Sequence, residues 1–489
     1  MKVSRRGFLI GAVAAGGGLL AACAPKIIET EVLVPGESVE VTRVVEVPVD
    51  VEREAIVSEV QVVERIAGEP SWTAPDFAGR EYLIWGLQYD PHVEAYQRLA
   101  DHFEAHTGAV ATIEPQGWPI ETNVITGIAA GIVPDVVCIM GKQIVPLIKE
   151  DAILAIDDLV YDAVGVDVDT WFGPVGLQAY QYGGKTYGVP TEGNCVSGIT
   201  NARHDFIDEC SDEIRELWPP NVGLDGFRGF EEMWTLAEAM QRSDDEGVTR
   251  WGLSSKGWDN RQFFGIMRTL GRDWWDPGNR TFALTSDEAY EAMFLQVVEP
   301  VFNRGIEAEI VDSSTEALVA GKVALACGNV TLAAAMWKEG IPGDNCVYPS
   351  AIPGRDALFV GEGGWGFVAP SVSDNPDIGV EFLKFLTTYE GQKEYARIYG
   401  AMVSACNAVN GDAELFPAGD PVADAMQRAA VAQKRTVYYG SGFGNPSEME
   451  GIVSTAISNV RTGLQGTDEA LTEAQALLEE MLAREDAEA

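Results

Sequence analysis

From residue 82 onward the chain alternates short apolar runs with segments whose apolar residues recur every three or four positions, and this rhythm constrains the fold more than any other feature. The run at 82–86 (YLIWG) reads as a buried strand. A helix at 91–106 comes next, with Val93, Tyr96, Leu99, Ala100 and Phe103 at helical spacing. A strand at 109–114, a helix at 121–130, a strand at 136–140 and a helix at 142–149 continue the series, ahead of a further apolar segment at 153–159. It resumes with a helix at 229–241 and a strand at 250–254, then a helix at 315–320, a strand at 322–327 and a helix around 332–339. Such alternation predicts an α/β fold, its sheets mostly parallel and covered on both faces, with ligands bound in the crevice beyond the carboxyl ends of the strands. At 489 residues the chain exceeds what one core usually supports, so two lobes are expected.

The two series are separated by 183–194, GGKTYGVPTEGN. Gly184, Lys185 and Thr186 spell the end of a phosphate-binding loop, but the glycine that loop requires five residues earlier is Ala179. The next residues, Tyr187 to Pro190, read as a turn and a short strand rather than a helix start. The stretch is therefore expected to be a hairpin and then a strand that leaves the first lobe, with Lys185 on the surface.

Other motifs fail in similar ways. His102 and His106 lie one helical turn apart, as metal ligands can, but no third ligand is evident and they read as surface helix residues. Gly361, Gly363 and Gly366 have dinucleotide-fingerprint spacing, yet they precede a strand at 365–369 instead of coming after one, and read as a loop into it. With no nucleophile elbow, HExxH or CxxC, neither an enzyme, a cofactor nor a metal is expected. Acidic residues number 75 against 34 basic ones, a net charge of -41 that repels nucleic acid phosphates, so no nucleic acid partner is expected.

Aromatic residues beside polar ones recur just after the strands: Trp85 with Gln88 and Tyr89, Trp118 after Gln116, Trp258 with Asp259 and Asn260, and Trp365 after Gly363 and Gly364. Singly each reads as packing. Their shared position suits a neutral polyhydroxylated ligand, whose ring faces stack on aromatics while Asp, Glu, Asn and Gln take its hydroxyls.

The N-terminus carries two addresses. Ser4 to Leu9 (SRRGFL) form a twin-arginine signal before an apolar stretch too short and too rich in glycine to span a bilayer. Leu20, Ala21, Ala22 and Cys23 resemble a lipobox, which makes Cys23 the expected lipid-bearing N-terminus and membrane anchor after removal of 1–22. Loss of Lys2, Arg5 and Arg6 with that segment takes the net charge from -41 to -44. From 23 to 78 valine alternates with glutamate among prolines, read as an extended tether, with a small hairpin or a self-associating stalk as the alternative. Cys138, Cys195, Cys210, Cys327, Cys346 and Cys406 remain; their spacing fixes no disulfide, and Cys138, in an apolar run, reads as a buried free thiol.

An ordered series of segments resembles the extracellular solute-binding lipoproteins of bacterial ABC importers, specifically the carbohydrate-binding group that includes maltose-binding proteins. It comprises 82–86 (YLIWG), 103–110 (FEAHTGAV), 131–137 (GIVPDVV), 184–190 (GKTYGVP), 229–240, 320–326 (AGKVALA), 364–370, 380–386 (VEFLKFL) with Glu390 and Gly391, and 463–476. The resemblance implies a two-lobe periplasmic-binding-protein-like fold, with several interlobe crossings and the ligand cleft between lobes. Lobe one would be 79–190 plus 346–396, and lobe two 191–345 plus 397–489. Cleft positions carried over are Tyr89, Asp90, Trp118, Lys142, Gln143, Glu192, Asn194, Trp258, Asp259, Asn329 and Trp365. The partners implied are a sugar or oligosaccharide and the permease subunits of an ABC importer, with the protein a monomer on the extracytoplasmic face of the membrane. Thr200 and Asn201 stand where relatives often have a Tyr-Asn pair, and Gly141 and Lys142 replace typical polar or acidic positions, so the sugar's identity does not carry over.

Overall fold

The computed structural model describes residues 28–33, 38–45, 59–66, 68–193, 198–218, 226–256, 259–307, 314–328, 331–398 and 402–488. Cys23, Asn194, Trp258, Asn329 and the twin-arginine segment lie outside the described residues. The chain divides into two compact units, Met1–Glu69 and Pro70–Ala489.

In the first unit, strands β1 (Ile28–Leu33), β2 (Ser38–Val45) and β3 (Glu59–Ile66) form an antiparallel sheet in the order β1-β2-β3. The valine–glutamate alternation expected to run extended as a tether has the period of a strand, and here its extended segments pair with one another.

The second unit begins at Pro70, earlier than the expected start at 79. Ser71 N–H donates to Val164 O at 2.9 Å, and Trp72 packs its ring on Phe103 and Phe385 while its Nε1 donates to Glu381 at 2.9 Å. Lobe one is built from β4 (Glu81–Leu87), α1 (Asp90–Thr107), β5 (Val110–Gln116), α2 (Ile120–Ala130), β6 (Val136–Met140) and α3 (Ile144–Lys149). These match the expected elements to within two or three residues at each end, because the apolar periodicity that predicts them also packs them: Tyr96, Leu99, Ala100 and Phe103 of α1 are buried, as is all of β6.

The stretch at 183–194 forms the expected hairpin. β7 (Gln181–Tyr182) and β8 (Lys185–Thr186) are joined by Gly183 and Gly184, both at positive φ (58° and 77°), which a two-residue turn of this hand requires and glycine supplies without a Cβ clash. β9 (Val189–Pro190) then completes the first sheet, and the chain leaves the lobe.

Lobe two contains β10 (Ile199–Arg203), α4 (Phe230–Met240), β11 (Arg242–Asp244), β12 (Gly247–Ser254), α5 (Asp259–Leu270), the small ribbon β13 (Trp275–Asp276) and β14 (Thr281–Phe282), β15 (Val323–Cys327) and β16 (Gly343–Val347). Ile199 pairs with Val347, so all of β16 lies in the sheet of β10. The return to lobe one runs through β17 (Phe359–Gly361) into β18 (Trp365–Val368), then α6 (Pro376–Thr387) and α7 (Tyr389–Ala396), which packs on α1. The chain then passes back through 402–406 to β19 (Thr436–Tyr438), α8 (Pro446–Arg461) and α9 (Thr467–Glu488).

The sheets have the orders β5-β4-β6-β18-β9 and β11-β12-β15-β10-β16. Both are mixed, which corrects the mostly parallel expectation. In lobe one β4 runs parallel to β5 and β6, but β18 is antiparallel to β6 and β9; in lobe two only β12 and β15 are parallel. The physical reason lies in the crossings: β10 and β18 each enter a lobe directly from the other one, so each runs against the βαβ strands it joins. At the crossings Glu192 bridges Ser404, Gly193 N–H donates to Val403 O at 2.9 Å, and β17 runs parallel to β19.

Cys138, Cys327 and Cys346 are buried free thiols, Cys210 is a partly buried one and Cys406 is buried, and no disulfide joins the described cysteines to one another. No helix among the described residues is long and apolar enough to cross a membrane.

Candidate functional site

Three of the expected cleft residues converge at the carboxyl ends of β4 and β5 and the start of β18. Trp118 and Trp365 meet edge to face, ring centroids 6.5 Å apart, and His92 sits edge-on to Trp365 at 4.7 Å and 6.0 Å from Tyr89. Trp365 is 9% exposed, whereas Tyr89 and Trp118 are 50% and 53% exposed. Large aromatics this exposed, held against a buried aromatic floor, form a platform rather than a core. Trp85 does not join it: it is buried with its Nε1 donating to Glu114 at 3.0 Å. Asp90 begins α1 behind the platform.

Below the platform, Glu192 is 4% exposed. Burial pushes its carboxyl up to about 8, with the Glu362 charge adding to the shift and a backbone contact at Trp365 and the Tyr395 hydroxyl opposing it. Tyr395 O–H donates toward Glu192 Oε1 at 3.5 Å and lies 3.4 Å from His92 Nδ1. Burial lowers His92 to about 4, so its ring is neutral near neutral pH. Gln143 is buried and donates its amide to Glu121 on α2, leaving Oε1 to accept from Met140 N–H at 3.4 Å. Asp259 lies in a separate group inside lobe two, 3.8 Å from Arg461, whose guanidinium also binds Glu307 at 2.5 Å. The expected residues thus divide among an aromatic platform, a buried acid beneath it and polar groups on each lobe.

Sequence reasoning passes over the charged groups Arg261, Glu362 and Glu450 where the lobes meet, and Arg461 inside lobe two. They sit on α5, after β17 and on α8, and only the placement of Glu362 in the apolar, glycine-rich run 359–370 distinguishes any of them. Nearby, a cavity of about 340 Å³ opens between Ile125 of α2, Pro146 and Lys149 of α3, and Asn445, Glu448 and Arg484 of the C-terminal helices. That is within the size range of small-molecule pockets. Ile125 is one helical turn from Glu121, which connects this crevice along α2 to Gln143.

His102 and His106 are half-exposed, as expected, and bind Glu390 of α7 at 2.7 and 3.0 Å, fastening α7 to α1. No group of His, Cys, Asp and Glu among the described residues has the geometry to hold a metal. Lys185 is exposed on the hairpin and its Gly184 turn opens no helix, which disposes of the phosphate loop.

Known proteins share this geometry. Residues 89–393 match the family described as bacterial extracellular solute-binding protein. No curated protein sequence matches the chain. Among solved structures, UgpB from Mycobacterium tuberculosis in complex with glycerophosphocholine is 18% identical, with a TM-score of 0.66 over 83% of this chain and 100% of that one. An ABC substrate-binding protein from Listeria monocytogenes in complex with cycloalternan is 13% identical, with a TM-score of 0.64 over 83% and 99%. The sugar-binding protein MalE from Xanthomonas citri is 18% identical, with a TM-score of 0.62 over 83% and 98%. At these identities the likeness is one of fold, a pair of α/β lobes about a cleft.

Proposed function

Since the chain belongs to the bacterial extracellular solute-binding protein family, we propose that it captures a sugar or oligosaccharide between its lobes and delivers it to an ABC importer. The observation that carries the reading is the platform of Tyr89 and Trp118, half-exposed against Trp365 and His92 at the carboxyl ends of lobe-one strands. Aromatic faces suit the C–H faces of a pyranose, and Gln143, Glu121 and Asp259 supply the acceptors and donors that hydroxyls need. Asn194, Trp258 and Asn329 belong to the same site in this proposal. A solute touching both lobes binds their closed arrangement better than the open one and so shifts the population toward it, presenting one shape to the permease. Cys23 carries the lipid anchor, Tat export delivers the folded protein, and the monomer works from the extracytoplasmic face of the membrane on a tether that ends before Pro70.

A second reading, a polyol or glycerol phosphodiester, is favoured by the fold likeness to the glycerophosphocholine-bound protein. Calorimetry against maltose, maltotriose, cyclic glucans and glycerophosphocholine separates the two. Heat from at least one neutral oligosaccharide is expected; tight binding only of an amino acid, a peptide or a metal would refute both.

A further inference from the structure

Four ionised side chains from separate parts of the chain meet between the two lobes. Lys142 comes just after β6 in lobe one, Glu362 lies between β17 and β18, and Arg261 of α5 and Glu450 of α8 come from lobe two. Lys142 Nζ donates to Glu362 Oε2 at 3.1 Å and to Glu450 Oε2 at 3.2 Å. Arg261 Nη2 donates to Glu450 Oε1 at 2.6 Å and also to Glu362. Tyr439 O–H closes the ring on Glu450 Oε2 at 2.8 Å. Burial works against both carboxylates, yet the charges of Arg261 and Lys142 outweigh it and hold both below the usual range, Glu450 at about 2. In lobe two the buried Arg461 is shared in the same way between Glu307 and Asp259.

Each of these cations therefore already faces two carboxylates. The first cluster sets two cations, Lys142 and Arg261, against two carboxylates, Glu362 and Glu450, and the second sets Arg461 against Glu307 and Asp259. Every lysine and arginine from 70 onward lies among the described residues, so no further cation of this unit is out of view. Resting on the reading of this cleft as the solute site, we propose that these two clusters select the solute by charge, admitting an uncharged polyhydroxylated molecule and turning away one that bears a phosphate or carboxylate. An entering anion has to take a cation from its carboxylates and leave them buried and unmatched, which is where buried ion pairs are most costly to break. The overall charge of -41 opposes the anion's approach as well. A neutral solute exchanges hydrogen bonds with the same groups and leaves their ion pairs intact.

The test is calorimetry on the full chain with maltotriose, glycerophosphocholine and sn-glycerol 3-phosphate. Wild type is expected to give no heat with sn-glycerol 3-phosphate. Glu362→Gln and Glu450→Gln each leave the first cluster with two cations against one carboxylate, and at least one should bind sn-glycerol 3-phosphate about tenfold or more above wild type, about 1.4 kcal/mol. The double variant Lys142→Met/Glu450→Gln removes one charge of each sign, controls for folding and should gain nothing. Lys256, half-buried after β12 and without an ion pair among the described residues, is checked separately by Lys256→Met. Wild-type binding of sn-glycerol 3-phosphate or glycerophosphocholine, whether or not Lys256→Met abolishes it, overturns the proposal, as does the absence of gain in both glutamine variants. Gain in those variants while wild type ignores every neutral sugar would uphold charge selection and sink the sugar reading.

Discussion

Glu192 lies in the crossing between the lobes, where its ionisation has a calculable consequence for stability. Its carboxyl moves from 4.5 to about 8 on folding because it is buried. Between those values the unfolded chain releases the proton while the folded chain keeps it, so the stability this carboxyl contributes falls as pH rises through the window and is gone above about 8. At 1.36 kcal/mol per pH unit the interval corresponds to about 5 kcal/mol. This is a ceiling, since a crossing that opens locally and wets the carboxylate caps the cost. His92 acts in the opposite sense: lowered from 6.5 to about 4, it contributes stability that is lost as pH falls below 6.5. The two slopes cancel between about pH 4.5 and 6.5, where the crossing is most stable, and above that range the loss from Glu192 is unopposed. Glu192→Gln keeps the shape and removes only the acid's slope. Urea unfolding of wild type and variant at pH 5.5 and 9.0 measures the difference. The variant should gain on wild type by several kcal/mol between the two pH values. Parallel stability curves would show that Glu192 is hydrated or paired in the folded state, and the reasoning would be wrong.

Trp118→Ala should weaken solute binding about tenfold, by about 1–2 kcal/mol, with little change in urea midpoint, because the ring is 53% exposed. Lys185→Ala should leave affinity unchanged and stability within about 0.5 kcal/mol, whereas Asn194→Ala should weaken binding; calorimetry on the pair tests whether the hairpin or the segment after it meets the solute. Gly363→Ala should cost more than about 2 kcal/mol in urea unfolding, because φ is 88° there and the new Cβ would collide with Ala179 Cβ. Cys23→Ser should move the protein from the membrane fraction to the soluble one, as read by immunoblot of fractionated cells.

How much is legible in the sequence depends on the range of the interactions. The α/β class, the helices of lobe one and the hairpin at 183–186 depend on periodicity and turn chemistry within a few residues, and all are readable. Tyr89, Trp118 and Trp365 stand out because each lies beside a strand end. The direction of β10 and β18 is not legible, because nothing local to a strand records that the chain has just changed lobes. The place of β16 in the sheet of β10 is likewise fixed only by the pairing of Ile199 with Val347, residues far apart in the chain.

The sequence by itself determined where strands and helices form and which aromatic residues stand at strand ends, because those depend on apolar spacing and backbone geometry. Only the tertiary structure decided which charges meet. Lys142, Arg261, Glu362 and Glu450 come from four separate segments, in a chain with 75 acidic residues that could each have paired with 34 basic ones. Burial then decided their value: the same carboxyl chemistry sits at about 2 in Glu450, between two cations, and at about 8 in Glu192, where burial prevails.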